Sequence, residues 1–251
     1  MNKIKIQVRN FSVSFNGKTA LSNLNLDIYE NERLAIIGPA GSGKTSFLRA
    51  LNRLNDLNPG FTYSGKILLD GKDIYDSDTD VAELRRRVGM VYAVPVALPW
   101  TIRENLAFGL KLSGITGDSQ NQRIENALRE AFLWEEVKDR LDQPAFNLSG
   151  GQQQRMSMAR MLALQPDVLL FDEPCSALDP IATARIEDAL ETLREKHTII
   201  LVTNNTKQAA RASDRTAFFL MGELVEISET HKLFTRPEKQ RTNEYLIGQF
   251  G

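Results

Sequence analysis

Apolar and polar residues alternate along the N-terminal part of the chain, as they do in strands that bury one face. The alternation covers residues 4–8, 11–15 and 24–28. The dipeptides Asn16-Gly17 and Asp70-Gly71 are typical of tight turns between paired strands. The pattern therefore predicts an N-terminal antiparallel β layer that leads into the rest of the fold.

Continuous apolar runs, typical of strands that a parallel sheet buries on both faces, occur further along the chain. They cover residues 34–37, 88–92, 168–171, 198–202 and 217–221. Between the later runs apolar residues recur at helical spacing. Strands that alternate with helices imply right-handed crossovers, so we predict an α/β fold with a mostly parallel sheet.

From about residue 101 to residue 164 the spacing of apolar residues is mainly helical. One predicted helix face has the spacing i, i+3, i+4, i+7 and i+8, in Ile124, Ala127, Leu128, Ala131 and Phe132. We therefore predict a single domain, residues 1–251. In it a helical subdomain, residues 93–165, is inserted into a core made of residues 1–92 and 166–251.

Composition narrows the classes of protein that fit this pattern. The chain has 251 residues and a formal net charge of -1, which gives no electrostatic case for binding nucleic acid. One cysteine and two histidines make an intramolecular disulfide, a cysteine-based zinc cluster or a histidine-rich metal site implausible. The N-terminus lacks the apolar segment of a signal peptide, and no apolar run has the length of a membrane span. We expect a cytoplasmic protein that reaches a membrane only through a partner.

A glycine-rich segment after the first apolar run matches the pattern G-x-x-x-x-G-K-[ST]. Glycines let a backbone wrap a phosphate group, and the amide groups at the following helix start favour the negative charge. Lys44 can reach the β- and γ-phosphates, and Thr45 offers a hydroxyl to Mg²⁺. A chance match to a glycine-rich turn is the alternative, but the flanking strand and helix patterns favour a nucleotide site. Its predicted residues are Gly38, Pro39, Ala40, Gly41, Ser42, Gly43, Lys44, Thr45 and Ser46.

The apolar run 168–171 ends in two carboxylates, Asp172 and Glu173. Open α/β sheets bind ligands at the carboxyl ends of their strands, where these side chains are expected. Asp172 can hold Mg²⁺ together with Thr45, and Glu173 can polarise the water that attacks a γ-phosphate. Alternatively, the two residues only end a strand and begin a turn.

A second glycine-rich segment, Leu148-Ser149-Gly150-Gly151-Gln152, precedes a helical pattern. Ser149 is a good N-cap, and Gln152 lies at the capping-box position. A capped helix start is a sufficient explanation, but paired glycines at a helix N-terminus also suit an anion.

These motifs, followed by Ser176-Ala177-Leu178-Asp179, have the order and spacing of the ABC transporter ATPases, which the whole chain resembles. The resemblance implies a P-loop NTPase core of the RecA type. It also implies that two copies pair head to tail around two ATP molecules, and a homodimer is the expected form. In such a dimer the second glycine-rich segment would face the γ-phosphate held by the partner copy, and Asp179 would lie at the dimer interface. The residues that would face it are Ser149, Gly150, Gly151 and Gln152. Phe15 matches the position where the family stacks an aromatic ring on adenine, although Phe15 also fits the strand alternation.

Within the family, the chain most resembles the ATPases of phosphate importers, in four stretches: 65–71, 172–180, 208–211 and 244–251. This resemblance implies integral membrane permease subunits as partners, a periplasmic or extracellular solute-binding protein acting indirectly, and a peripheral position on the cytoplasmic face of the membrane. None of the four stretches would contact a transported solute. Phosphate is therefore indicated only by the resemblance and by nothing in the chemistry of these residues.

Two positions depart from the family pattern. Ala93 stands where the family has a glutamine that touches Mg²⁺ and the attacking water. Asn204 stands where the family has a histidine that contacts the γ-phosphate. Alanine cannot ligate a metal or orient water, and asparagine cannot become cationic. We therefore expect ATP binding with slow hydrolysis, unless gaps shift the alignment and Gln152 or Asn205 compensates.

Three functions fit these residues. The leading one is an ATPase subunit that powers a membrane importer, with ATP and Mg²⁺ as cofactors. The altered Ala93 and Asn204 favour a nucleotide-gated regulatory subunit, which the intact Glu173 opposes. A soluble ABC protein without a transporter is the third, but the long insertions of that class are not seen.

Overall fold

The computed structural model describes residues 3–249, in which two sheets and a helical region are connected by short loops. The strands are β1 Ile4–Phe15, β2 Lys18–Tyr29, β3 Arg33–Ile37, β4 Phe61–Leu69, β5 Lys72–Asp73, β6 Val88–Val91, β7 Val168–Asp172, β8 Thr198–Val202, β9 Arg215–Leu220 and β10 Glu223–Glu229. The helices are α1 Lys44–Ala50, α2 Val81–Arg87, α3 Ile102–Leu112, α4 Gly117–Glu130, α5 Trp134–Val137, α6 Gly150–Leu162, α7 Pro180–Leu193, α8 Thr206–Ala212, α9 Thr230–Thr235 and α10 Gln240–Leu246. Short 3₁₀ helices cover Leu54–Leu57, Lys138–Arg140 and Ala145–Asn147.

The N-terminal sheet is antiparallel, with the strand order β2-β1-β4-β5. Its first hairpin turns at Asn16 and Gly17, whose φ angles of 49° and 77° both lie in the left-handed region that this turn requires. The predicted antiparallel β layer is therefore confirmed. Asn10, with φ of 48°, interrupts β1 at a register shift, which explains why the sequence alternation breaks between residues 8 and 11.

The core sheet has the strand order β10-β9-β3-β8-β7-β6, in which all pairs are parallel except β9 with β10. Every residue of β3, β7 and β8 is buried, as their continuous apolar runs predict. The α/β class and the mostly parallel sheet are thus confirmed. The edge strand β10 was not predicted, because its sequence mixes glutamates with apolar residues.

The chain between β6 and β7 forms the predicted helical region, in which α3, α4 and α6 pack together. Within α4, Ile124, Ala127 and Leu128 are buried, as their spacing predicts. Phe132 is the exception: the helix ends at Glu130, and Phe132 has a φ of 52° and is 37% exposed. Across residues 3–249 we find no helix that is both long enough and apolar enough to cross a membrane.

One apolar cluster joins the N-terminal sheet to α1 and to the core sheet, with Phe11, Phe47 and Phe219 fully buried in it. Fully burying a side chain of this size stabilises the fold by about 2–3 kcal/mol. The two sheets are also joined by charge, because the buried Lys5 Nζ lies 2.9 Å from Asp70 and 3.3 Å from Asp167. Although burial acts in the opposite direction, bonds from Lys5 and Arg87 lower the pKa of Asp70. The N-terminal sheet is thereby held against α1 and against the amino end of β7.

Candidate functional site

The glycine-rich loop connects the end of β3 to the start of α1, as predicted. At Gly38, where φ is 149°, an added Cβ would lie 2.1 Å from the carbonyl oxygen of Phe219. At Gly43, where φ is 97°, an added Cβ would lie 2.7 Å from the carbonyl oxygen of Ala20. No other residue type fits these two positions, since backbone from the core sheet and from the N-terminal sheet touches the loop on both sides.

Lys44 is almost fully buried beneath this loop. Its Nζ donates hydrogen bonds to the carbonyl oxygens of Gly38, at 2.7 Å, and of Pro39, at 2.9 Å. Burial lowers the pKa of Lys44, and the charges of Glu173 and Asp172 oppose that effect. The ammonium group is held by two neutral carbonyl oxygens. Phosphate oxygens, which carry negative charge, can take their place.

The hydroxyl of Ser42 is a buried group without a hydrogen-bond partner among the described residues. Only 2% of the Ser42 surface is exposed, so water does not readily satisfy this hydroxyl. A buried polar group that is left unsatisfied costs about 1–3 kcal/mol. An anion in the loop would supply the missing acceptor, so these residues fit a bound phosphate.

Thr45 and Asp172 lie side by side, as the predicted Mg²⁺ pair requires. The Thr45 hydroxyl donates to Asp172 Oδ1 at 2.9 Å. Burial raises the pKa of Asp172, while the bond from Thr45 and the charges of Arg49 and Lys44 lower it. A hydroxyl and a carboxylate are oxygen ligands that suit Mg²⁺, which typically takes one or two protein oxygens together with substrate phosphates.

Glu173 and Asn204 are in direct contact. Asn204 Nδ2 donates a hydrogen bond to Glu173 Oε1. The backbone of Glu173 has a φ of 50°, and its N–H donates to the carbonyl oxygen of Val202 at 2.8 Å. A left-handed conformation is strained for glutamate and costs about 1 kcal/mol or more. The Asn204 amide and the end of β8 therefore fix the direction in which the Glu173 carboxylate points.

Ala93 lies just past the end of β6. Val91 and Phe171 are opposite each other in the parallel pairing of β6 with β7, so Ala93 and Glu173 each lie two residues beyond that pair. A methyl group at this position neither binds a metal nor orients water.

Neither of the two residues considered as substitutes supplies an amide at position 93. The side-chain oxygen of Gln152 accepts from Ser149 N at 3.0 Å, and its nitrogen donates to Glu136. Asn205 caps α8 by accepting from Gln208 N at 3.2 Å. Both side chains are engaged in contacts at helix N-termini, so the missing glutamine at position 93 is not replaced by either.

The second glycine-rich segment forms the N-terminus of α6 with both bonds of a capping box between Ser149 and Gln152. Gly151 packs against α7, where an added Cβ would lie 2.7 Å from Ala182 Cβ. Gly150 instead has open space around it and is exposed. Asp179 caps α7 by accepting from the backbone of Ile181 and Ala182, at 2.9 Å each. Among the described residues, no hydrogen bond joins residues 149–152 to the loop 38–46, so one chain holds two separate candidate phosphate sites.

Phe15 is the last residue of β1 and is half-buried. Its ring lies 5.9 Å from the ring of Phe61, which agrees with its place in the strand pattern. Stacking on adenine stays a prediction.

Tyr245 is a residue near the loop that the sequence did not indicate. Its ring stacks on Phe218 with centroids 4.8 Å apart. Burial raises the pKa of Tyr245, and a hydrogen bond with the Gly38 backbone lowers it. No local sequence pattern indicates this contact, because α10 lies far from the loop along the chain. Phe250 and Gly251, which end one of the stretches resembling phosphate importers, lie outside the described residues.

The loop after β3 suits a phosphate, and a hydroxyl lies beside a carboxylate next to it. With a glutamate at the same carboxyl edge of the parallel sheet, this is the arrangement of a P-loop ATPase. The chain belongs to the ABC transporter ATPase family, because the family model described as ABC transporter matches residues 21–176. It is therefore an ATP-binding ATPase subunit of the ABC type.

The chain is also similar to individual proteins. It is 49% identical over 249 residues to the phosphate import ATP-binding protein PstB of Bacteroides fragilis, covering 99% of this chain and 98% of the relative. Its structure matches cbiO1 of Clostridium perfringens, part of the transporter complex cbiONQ, with a TM-score of 0.82, 26% identity and coverage of 98% and 97% of the two chains. It also matches a bacterial Atm1-family ABC exporter with ATP bound, with a TM-score of 0.82, 26% identity and coverage of 100% of this chain and 42% of the exporter.

We predict that Ser42→Ala weakens ATP binding about tenfold without lowering the stability of the free protein. The hydroxyl has no hydrogen-bond partner to lose among residues 3–249, but it would donate to a phosphate once ATP is bound. Calorimetric titration with ATP and urea unfolding measure the two quantities.

Ser157→Ala is the matched control, because that hydroxyl is also buried but already donates to the carbonyl oxygen of Gln153 at 3.0 Å. Its ATP affinity should equal that of the wild type. Unchanged ATP affinity in Ser42→Ala would contradict the placement of a phosphate beside this hydroxyl.

Proposed function

We propose that this chain is the ATP-hydrolysing subunit of a membrane importer for inorganic phosphate. The arrangement of Thr45, Asp172, Glu173 and Asn204 at one edge of the core sheet carries the hydrolytic part of the proposal. The 49% identity to a protein named as a phosphate import ATP-binding protein supports the choice of solute.

In this proposal the phosphates of ATP lie in the loop 38–46. Lys44 exchanges its two carbonyl contacts for oxygens of the β- and γ-phosphates, and Ser42 donates its unpartnered hydroxyl. Thr45 and Asp172 would hold Mg²⁺, which would neutralise charge on the phosphates when bound. Phe15 provides an aromatic surface for the adenine.

Glu173 acts as the group that polarises the attacking water. Its carboxylate accepts one hydrogen bond from Asn204 and is only half-buried, which leaves its other oxygen for the water. An amide donor at position 204 orients the Glu173 carboxylate but cannot add a positive charge at the γ-phosphate. Together with the methyl group of Ala93, this makes hydrolysis slow.

A second copy of the chain completes each ATP site. The fold does not require glycine at Gly150, because its φ is ordinary and an added Cβ would meet nothing within 4 Å. A closely approaching phosphate of a partner copy would require it. The partner's ATP would then lie against Ser149, Gly151 and Gln152. Asp179 would lie at the interface of a homodimer.

The permease subunits would contact the loop that follows β6 and the adjoining face of α3. The loop exposes apolar side chains, of which Val94 is 71% and Val96 55% exposed. On α3, the exposed Phe108 ring lies 5.2 Å from the ring of Trp100 in this loop. Beside it lies a cavity of about 420 Å³ lined in part by Met90 and Tyr92. Exposed apolar groups around a cavity suit an apolar segment of another protein. We place the chain peripherally on the cytoplasmic face of the membrane, with residues 93–165 as its helical subdomain. A solute-binding protein would act on the far side.

A regulatory subunit with little hydrolysis of its own is the second candidate. Ala93 favours it, because neither Gln152 nor Asn205 supplies an amide in place of the family's glutamine. In this case a partner ATPase would perform most of the hydrolysis.

We predict slow ATP turnover for the wild type, a further drop of at least a hundredfold for Glu173→Gln, and about a tenfold gain for Ala93→Gln combined with Asn204→His. One positioned hydrogen bond to a transition state is worth about 3 kcal/mol, and two restored contacts at neighbouring positions need not add. Steady-state phosphate release measures turnover. Full activity of Glu173→Gln would refute the role of Glu173, and unchanged turnover after both restorations would show that positions 93 and 204 do not limit the rate.

We also predict that the tagged chain, recovered from membranes of its source in mild detergent, brings integral membrane permease subunits with it. Vesicles that contain this complex and a cognate solute-binding protein should accumulate labelled phosphate with ATP inside, and Glu173→Gln should abolish that uptake. Recovery without any membrane partner would refute the transport function, and uptake of another solute would refute phosphate.

A further inference from the structure

The side chain of Gln154 connects the helical region to two loops at the catalytic edge of the core sheet. Gln154 lies on α6 and is fully buried. Its Nε2 donates to the carbonyl oxygen of Tyr92 at 2.8 Å and to that of Pro174 at 3.0 Å. A primary amide has two N–H donors, so both are used.

The orientation of this amide is determined by its surroundings. Exchanging the oxygen and nitrogen of the side chain would place Oε1 against two carbonyl oxygens, which donate nothing. Oε1 itself has no hydrogen-bond partner among the described residues. The two donated bonds therefore hold Gln154 in place, and the same bonds hold the two carbonyl groups.

Both carbonyl groups are adjacent to residues of the proposed reaction site. Tyr92 immediately precedes Ala93, and Pro174 immediately follows Glu173. Glu173 has a left-handed backbone, so the direction of its carboxylate depends on what holds the turn on either side. Val202 and Asn204 hold one side of this turn, and Gln154 holds the other.

The other end of the connection is the start of α6. Gln154 lies two residues after Gln152 on the same rigid helix, whose N-terminal residues face a partner's ATP in the proposed dimer. Ala93 has no side chain that can connect the helical region to the nucleotide. The Gln154 amide is thus a direct polar link between the second glycine-rich segment and the turn that carries Glu173.

We propose that Gln154 is a positioning residue for hydrolysis: its two hydrogen bonds fix the Glu173 turn and the Ala93 loop relative to α6. A shift of α6 as a partner's nucleotide engages its N-terminus then changes the position of the Glu173 carboxylate. The inference rests on the proposed ATPase function, and it identifies a residue that couples the two halves of the composite site.

The test compares Gln154→Met and Gln154→Glu with the wild type in the full chain. Met keeps the length of the side chain without a donor, and Glu keeps the shape while replacing the donor with an acceptor. In both variants we expect kcat for ATP hydrolysis to fall at least tenfold, while the ATP dissociation constant stays within twofold of the wild type. Amide hydrogen exchange should become faster in residues 92–95 and 173–177 and stay unchanged in residues 38–46.

Gln120→Met is the matched control, because the Gln120 amide also donates to a backbone carbonyl, that of Ile115, at 2.8 Å within the helical region. It should leave kcat and the exchange of both loops unchanged. The proposal is overturned if kcat stays within twofold of the wild type, or if ATP affinity falls by the same factor as kcat. If Glu173→Gln turns over as fast as the wild type, the proposed function fails instead. Hydrogen exchange of the two loops then still decides whether Gln154 holds them.

Discussion

The hydrogen bond between Thr45 and Asp172, 2.9 Å long, joins the loop after β3 to the end of β7, and the site depends on this connection. It is possible because β3, β8 and β7 are adjacent, parallel and fully buried, so their carboxyl ends form one edge. β8 lies between the other two strands, which places Asn204 beside Glu173. The hydrophobic effect that buries these strands therefore also sets the order of the polar groups along the edge.

Glycine is required for different physical reasons in the two glycine-rich segments. Gly38 and Gly43 are needed by the fold itself, because backbone carbonyl oxygens occupy the space that a side chain would take. Gly151 is needed by the packing of α6 on α7. Among residues 3–249, nothing near Gly150 requires a glycine, and its exposed position suits a ligand held by another copy. This difference supports the proposal that the second segment contributes to an ATP site held by another copy.

Much of this architecture could be predicted from the sequence, because the signals are local. The apolar runs of β3, β7 and β8 and the cap at Ser149 each lie within a few residues. What the sequence missed depends on neighbours that are distant along the chain. The contacts of Gln154 with Tyr92 and Pro174, and of Tyr245 with Gly38, join separate elements. At Phe132 the helical spacing continued past the true end of α4, because the left-handed backbone there turns the chain away from the helix axis.

Sedimentation velocity of Glu173→Gln with and without ATP measures whether a second copy completes the ATP site. A ligand bound between two copies stabilises the dimer over the monomer, and slow hydrolysis preserves that ligand during the measurement. We expect a monomer without nucleotide and a dimer at saturating ATP, and Gly150→Trp should prevent dimerisation while leaving the fold intact. A monomer at saturating ATP, or a dimer that forms equally well without ATP, would rule out an ATP site shared between two copies.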